Sequence, residues 1–451
     1  MRSLTLAAAA VAALAPAAFS QCVPSWDRTM GTPGTTSGYV GAMIVDNGDL
    51  VVSGSFMDMA GVPGTKYIAR YNIAANSWSP FGIGLGDAPS NSFGTSFAHM
   101  GGDLYVGGFF ADASGVADTK SIARWDGTQF HSLGTGWAYN SVNAVWSMLS
   151  TDIFGGPKVF FGGGFADISG VSAGNVGMWD GNTATPIATT MNLVGINALV
   201  TAMTLFDDGQ GGGTQLYIGG RFADVDGVIT KMIARWNGTT WSPVGTNLGN
   251  TIATGEIDSM LVWDDGTGPA LYVGGSNIRV DGVLAQVAKW NGVTWTAVGQ
   301  NPTGRVWSLA AFDDGSGEKL YAGGTATALL RLFRLEGNTW VTVDGGADAQ
   351  VIKLLPYQNK LYVGGSFANV NGQLSNRMVA RTSCVPTCGS ADFNCDGDLG
   401  TDSDIEAFFA CLAGSCPAAP CTSSADFNGD GDLGTDADIE AFFRVLAGGS
   451  C

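Results

Sequence analysis

A phrase that returns seven times constrains this chain more than any other feature. Leu104-Tyr-Val-Gly-Gly108 is followed by Phe110-Ala-Asp112, Gly115-Val116 and Ile122-Ala-Arg-Trp125. The same order returns at Leu216-Tyr-Ile-Gly-Gly220, Phe222-Ala-Asp224, Gly227-Val228 and Ile233-Ala-Arg-Trp236, and weaker copies start at Leu50, Val159, Leu271, Leu320 and Leu361. The second glycines of the copies are Gly54, Gly108, Gly163, Gly220, Gly275, Gly324 and Gly365, spaced 41 to 57 residues apart. A period of that size marks a solenoid, a propeller or an array.

Each unit reads as four short strands. An apolar segment such as Ser259-Met-Leu-Val-Trp263 runs into an Asp-Asp-Gly turn (Asp207-Asp208-Gly209, Asp264-Asp265-Gly266, Asp313-Asp314-Gly315). Asp and Gly suit tight turns through side-chain capping and positive φ. The Leu-Tyr-Val-Gly-Gly strand follows, then a longer loop, the Ile-Ala-Arg-Trp strand, an Asn/Asp-Gly turn and a last strand such as Thr240-Trp241-Ser-Pro-Val244. Asn-Gly between two apolar runs is a strong hairpin signal. Four antiparallel strands per unit predict an all-β, seven-bladed β-propeller over residues 21–385. The paired glycines let a strand near the axis approach neighbouring backbone, and Trp125, Trp179, Trp236 and Trp290 are expected to pack between blades. The seventh unit stops after Met378-Val-Ala-Arg381, without a fourth strand, whereas Pro24-Ser-Trp26-Asp-Arg-Thr-Met-Gly31 looks like an orphan one. This N-terminal strand should close the last blade, remove the sheet edges and bring Cys22 beside Cys384 as a disulfide. This stretch resembles kelch-type propellers, and more closely the repeats of fungal cortical polarity-marker ectodomains. The resemblance implies a fold but no activity, because propellers host unrelated functions. The sixth unit departs from the pattern: Thr325-Ala-Thr-Ala-Leu-Leu330 replaces the Phe-Ala-Asp loop, which predicts an irregular blade.

Composition agrees. Glycine is 68 of 451 residues, which disfavours helix at about 1 kcal/mol per interior position. A net charge of -18 repels phosphates and argues against nucleic-acid binding. Residues 1–20 read as a secretory signal peptide: Arg2, a short apolar run from Leu4 to Leu14, then Ala18-Phe-Ser20 at the cleavage site. The run is shorter than a membrane span, and no later stretch can span, so the chain is expected to be secreted, extracellular or associated with a cell surface. Eight cysteines confined to the two ends suit an oxidising compartment.

From Cys388 onward the chain holds 12 Asp/Glu and a single basic residue, Arg444. A duplication with an offset of 34 aligns Ala391–Phe409 with Ala425–Phe443. Oxygen side chains at alternate positions with glycine at the sixth describe a calcium loop. Asp392, Asn394 and Asp396, with the carbonyl of Asp398, form one set around the Gly397 turn. Asp426, Asn428, Asp430 and Asp432 form the other around Gly431. Ile405, Phe408, Phe409 and Leu412 then recur at i, i+3, i+4 and i+7, the apolar face of a helix, and Ile439, Phe442, Phe443 and Leu446 repeat it. The twelfth loop position is Ser403 or Ala437, so Asp404 and Asp438, one residue later, are the expected acidic ligands, with Asp402 and Asp436 as alternatives. Two Ca2+ ions are expected, with binding linked to folding. Cys395 and Cys411 are absent together from the second unit, which suggests a Cys395–Cys411 bond. Cys388 and Cys416 flank unit one as Cys421 and Cys451 flank unit two, which suggests those two pairs. Residues 386–451 resemble the dockerin module, the paired calcium-loop domain of some bacterial secreted proteins. That resemblance implies a small α-helical calcium-binding domain docking a cohesin-like or cell-surface partner, with Thr401-Asp402 and Thr435-Asp436 near the docking face.

No catalytic residue stands out. His99 and His131 are the only histidines, too few for a three-histidine metal site. The Asp-Asp-Gly carboxylates recur in register as turn residues. Asp58, Asp112, Asp167, Asp224 and Asn369 occupy equivalent loop positions, where turn capping is the simpler role. Trp137, Tyr139 and Trp307 lie in or near loops that join blades and are candidate ligand contacts. The expected function is therefore a secreted, non-enzymatic propeller that binds a polysaccharide or protein and is tethered by its C-terminal module. The rival is a secreted carbohydrate-active enzyme with carboxylate catalysis and the same tether.

Overall fold

The structure, a computed structural model, describes residues 24–87, 92–134, 144–168, 171–193, 198–249, 255–300, 304–325, 331–383, 389–417, 423–428 and 432–447. The chain divides into two compact units, Ser25–Ser383 and one that holds Cys384–Cys451.

Among the described residues the first unit contains seven four-stranded antiparallel sheets. In the first, Val40–Asp46, Asp49–Gly54, Ile68–Asn72 and Ser77–Pro80 pair in chain order. The next five, opening with Phe93–Met100, Ala144–Thr151, Leu199–Phe206, Glu256–Asp264 and Val306–Asp313, do the same. The seventh takes Val351–Tyr357, Lys360–Gly365 and Met378–Thr382, and its fourth strand is Trp26–Asp27 from the N-terminus. Trp26 pairs with Arg381 and Asp27 with Ala380, and the Ser25 carbonyl accepts from the Thr382 N–H at 2.8 Å. Each opening strand packs on the opening strand of the following sheet, and that of the seventh on that of the first. The sheets therefore follow one another round a closed ring, as in a β-propeller. Shorter two- and three-stranded sheets formed by the loops accompany them.

Both glycines of the pair stand where a neighbouring strand comes too close for a Cβ, the close approach their recurrence predicts. The N–H of the second glycine donates to the carbonyl of the residue before the third strand: Gly108 to Ser121, Gly220 to Met232 and Gly275 to Gln286, each at 3.0 Å. Those three acceptor residues have φ of 61°, 76° and 60°. A Cβ on Gly220 would also run into the Leu199 carbonyl of the opening strand. The first glycine faces the next sheet, where a Cβ on Gly274 would lie 2.7 Å from Val306 Cγ1. The first sheet reverses the sizes. Ser53 replaces the first glycine, and Gly94 replaces the branched residue opposite it.

Opposite each pair the opening strand carries one β-bulge, at Gly41, Thr95, Trp146, Thr201, Asp258, Trp307 and Ile352. A bulge inserts an unpaired residue and re-aims its side chain. In the fourth, fifth and sixth sheets a fourth-strand tryptophan fastens the sheet to the one before. Trp241 Nε1 donates to Ile187 O at 3.0 Å, Trp295 to Val244 O at 2.8 Å and Trp340 to Val298 O at 3.1 Å. Trp78 donates to Met30 O at 3.3 Å, so the same bond spans the closure. Trp179, Trp236 and Trp290 are buried, with Trp236 against Phe154 and Phe160 of the preceding sheet. The sixth sheet has four paired strands like the others, and the unusual part of its loop, residues 326–330, lies outside the described residues.

The described residues of the second unit contain two helices, α1 (Asp402–Leu412) and α2 (Asp436–Leu446). Phe408 and Phe442 stack at 4.0 Å between them, with Phe393 and Phe427 edge-on against the stack. The expected apolar faces need one correction. Phe409 and Phe443 are 45% and 44% exposed, because four aromatic rings already fill this small core and Cys411 and Ala441 close it.

Candidate metal centre

The loop before α1 folds around its own oxygens. Asp392 accepts from the Asp396 N–H at 3.0 Å and the Gly397 N–H at 3.1 Å, and Asn394 Oδ1 accepts from the Asp396 N–H at 2.9 Å. Gly397, at φ 95°, makes the turn that a side chain would strain. One oxygen each from Asp392, Asp396 and Asp404 lie within 4.8 Å of one another. Calcium ligands at about 2.4 Å stand at most about twice that far apart, a spacing these three oxygens meet. The structure thus brings Asp392 and Asp396 together with Asp404, one of the two alternatives for the acidic position. Asp398 is exposed at the loop's edge, its N–H bonded to Asp396 at 2.9 Å.

Asp404 also has a task that its spacing did not reveal. It is fully buried and is the third residue of α1, in a capping box with Thr401. One oxygen accepts from the Phe393 and Asn394 N–H groups at 2.8 and 3.3 Å, the other from the Thr401 N–H and hydroxyl at 2.8 and 2.9 Å. Burial pushes this carboxyl up, but the hydrogen bonds from Thr401, Asn394 and Phe393 outweigh it, and Asp404 is held below the usual carboxylate range. The second loop repeats the arrangement. Asp438, fully buried, accepts from the Phe427, Asn428 and Thr435 N–H groups and the Thr435 hydroxyl. Asp426, Asn428 and Asp432 belong to this loop, and Asp430 lies outside the described residues.

The disulfides differ from expectation. Cys411 is joined to Cys416 in the structure, in place of the expected Cys395–Cys411 and Cys388–Cys416 pairs. The two cysteines are close along the chain, where α1 ends at Leu412 and the backbone reverses at Gly414 (φ 93°). Cys395 is disulfide-bonded as well. Cys22, Cys384, Cys388, Cys421 and Cys451 lie outside the described residues, as do residues 1–20, Trp137 and Tyr139.

In the first unit the repeated turn carboxylates act as scaffold. Asp208 takes Tyr217 and Arg235, Asp265 takes Tyr272 and Lys289, and Asp314 takes Tyr321 and Arg334. Asp58 and Asp112 cap their own loops through the Gly61 and Gly115 N–H groups. His99 pairs with Asp46 at 3.0 Å and His131 with Asp126 at 2.6 Å. No helix among the described residues is long and apolar enough to cross a membrane.

No family model matches this chain, and no curated protein matches it. Among solved structures it is similar to the computationally designed Ika8 protein (15% identity, 76% of this chain and 83% of that one, TM-score 0.41). It is also similar to the GH74 xyloglucanase of Xanthomonas campestris (10%, 77% and 43%, TM-score 0.43) and to YCF48 of Cyanidioschyzon merolae (10%, 77% and 96%, TM-score 0.42). The last two are β-propeller proteins.

Proposed function

We propose that this chain is an exported, non-enzymatic binding protein. Its seven sheets are the blades of one propeller that displays a ligand surface, and its C-terminal unit is a dockerin-like module that takes two Ca2+ ions and docks a cohesin-like or cell-surface partner. The observation that carries the reading is the convergence of Asp392, Asp396 and Asp404 in a loop whose sequence is duplicated. The exposed apolar side chains support it, because they are duplicated too. Leu399 and Leu433 are 74% and 71% exposed, and Phe409 and Phe443 lie 6.3 Å apart. Apolar groups exposed at repeated positions are what a docking face requires.

The test is calcium titration of the chelator-stripped full-length protein by calorimetry, with limited proteolysis in parallel. Two sites are expected, with protection of residues 388–451 that chelator removes. Asp392→Asn with Asp396→Asn should abolish one site and leave the other. Absence of calcium heat, or protection indifferent to chelator, overturns the metal assignment. Immobilised protein should capture members of a panel of purified cohesin-type domains only with calcium. A polysaccharide panel should release no product; turnover would favour the carbohydrate-active enzyme.

A further inference from the structure

The bulge ends of the seven opening strands form one rim, because the register is the same in every sheet. Round most of this rim the fold uses uncharged residues, such as Ala144, Leu199 and Thr201. Three adjacent sheets break the rule. Glu256 and the bulge residue Asp258 come from the fifth, Arg305 from the sixth, and Arg221, just after its glycine pair, from the fourth. Arg305 forks onto Asp258, with Nε to Oδ2 at 2.7 Å and Nη2 to Oδ1, and Nη2 reaches Glu256 at 3.0 Å. Arg221 stands 3.9 Å from Glu256. The Arg305 guanidinium also lies 3.8 Å over the Trp307 ring.

Burying such ions costs solvation that an apolar residue avoids, and the other sheets show that the scaffold does without them. The exposure is one-sided. The Glu256 and Asp258 side chains are 7% and 3% exposed, whereas Arg221 and Arg305 are 28% and 26% exposed. The guanidiniums are thus the more exposed members of the cluster, with the carboxylates held behind them. One position beyond the seventh bulge, Lys353 has no hydrogen-bond or ion-pair partner among the described residues, and burial lowers its pKa. The other arc of the rim is aromatic: Tyr39, Phe93 and Trp146 are each half-buried, with Phe93 and Trp146 5.4 Å apart.

We propose that this rim binds a carboxylated saccharide, with Arg221 and Arg305 taking the carboxylate and the ring of Trp146 the sugar face. Guanidinium forks match carboxylates, and aromatic faces offer a flat apolar platform. The proposal rests on the reading of the propeller as a binding scaffold and names its ligand class. The experiment measures calorimetric binding of full-length protein to oligogalacturonate, to a neutral oligogalactose of equal length and to an oligoglutamate peptide. The uronate should bind about ten-fold or more tightly than either comparison, and added salt should weaken it. Arg221→Gln should lower uronate affinity about ten-fold with an unchanged melting temperature. Arg305→Gln combined with Asp258→Asn, which removes both members of that ion pair and leaves Glu256 facing Arg221, should abolish binding. Trp146→Ala should weaken it. Equal affinity for the neutral sugar would keep the scaffold reading and overturn this site. Tighter binding of the peptide, no uronate binding, or indifference to Arg221→Gln would overturn it as well.

Discussion

The exchange of sizes between sheets can be tested by copying it. Gly274→Ala places a Cβ 2.7 Å from Val306 Cγ1 and 3.2 Å from Leu309 Cγ. Ordinary carbon contacts lie at about 3.5–4.0 Å, so the fifth and sixth sheets must part by roughly 1 Å or lose packing. Val306 and Leu309 are 2% and 6% exposed, so neither can swing into solvent. Overpacking of this kind costs about 1–3 kcal/mol; we expect about 2. Gly274 carries no positive φ, so the penalty arises from space alone. At about 2.1 cal/mol/K per residue, the Ser25–Ser383 unit unfolds with an entropy of roughly 0.75 kcal/mol/K. A loss of about 2 kcal/mol then lowers its melting temperature by about 3 °C. Val306→Ala alone should cost about 2 kcal/mol for lost burial. The double variant, which imitates the Ser53–Gly94 arrangement, should cost less than the sum by about 1 kcal/mol or more, because the inserted methyl fills the space vacated. Differential scanning calorimetry of the four proteins measures the cycle. Additivity within about 0.5 kcal/mol would refute the contact as the reason for the glycine.

Three further outcomes follow from the same geometry. Trp295→Phe removes the 2.8 Å bond to Val244 O inside the fourth–fifth sheet contact; it should cost about 1–3 kcal/mol, read as a lower denaturant midpoint. Asp404 is held below the usual carboxylate range when folded, so its contribution is present above the unfolded value near 4 and disappears as pH falls through the folded value. Circular dichroism of α1 and α2 should fall on acidification, and Asp404→Asn should flatten that dependence; an unaltered curve would count against the cap. Mass mapping of unreduced peptides should recover Cys411 linked to Cys416 and Cys22 linked to Cys384; Cys22 in any other pair would break the proposed clasp at the closure.

Local chemistry made much of this legible in the sequence. Seven repeats with turn residues at fixed offsets predicted seven four-stranded sheets, and the missing strand after Arg381 pointed to Trp26 because a sheet edge needs a partner. The loop pattern marked Asp392 and Asp396, since oxygen side chains at alternate positions converge when glycine permits the turn. Register and packing across sheets are a different matter. Aligning the copies on the glycine pair would have marked Glu256, Asp258 and Arg305 as the odd residues of their columns. That they bridge one another, with the carboxylates behind the guanidiniums, follows only from strands about 50 residues apart meeting at one rim. The disulfide of Cys411 was likewise hidden, because it joins cysteines close along the chain and does not follow the symmetry between the duplicated halves. Sequence by itself determined which strands and loops form, since each depends on neighbours along the chain. The tertiary structure decided which side chains face a partner, a core or solvent, since those contacts join residues the chain keeps far apart.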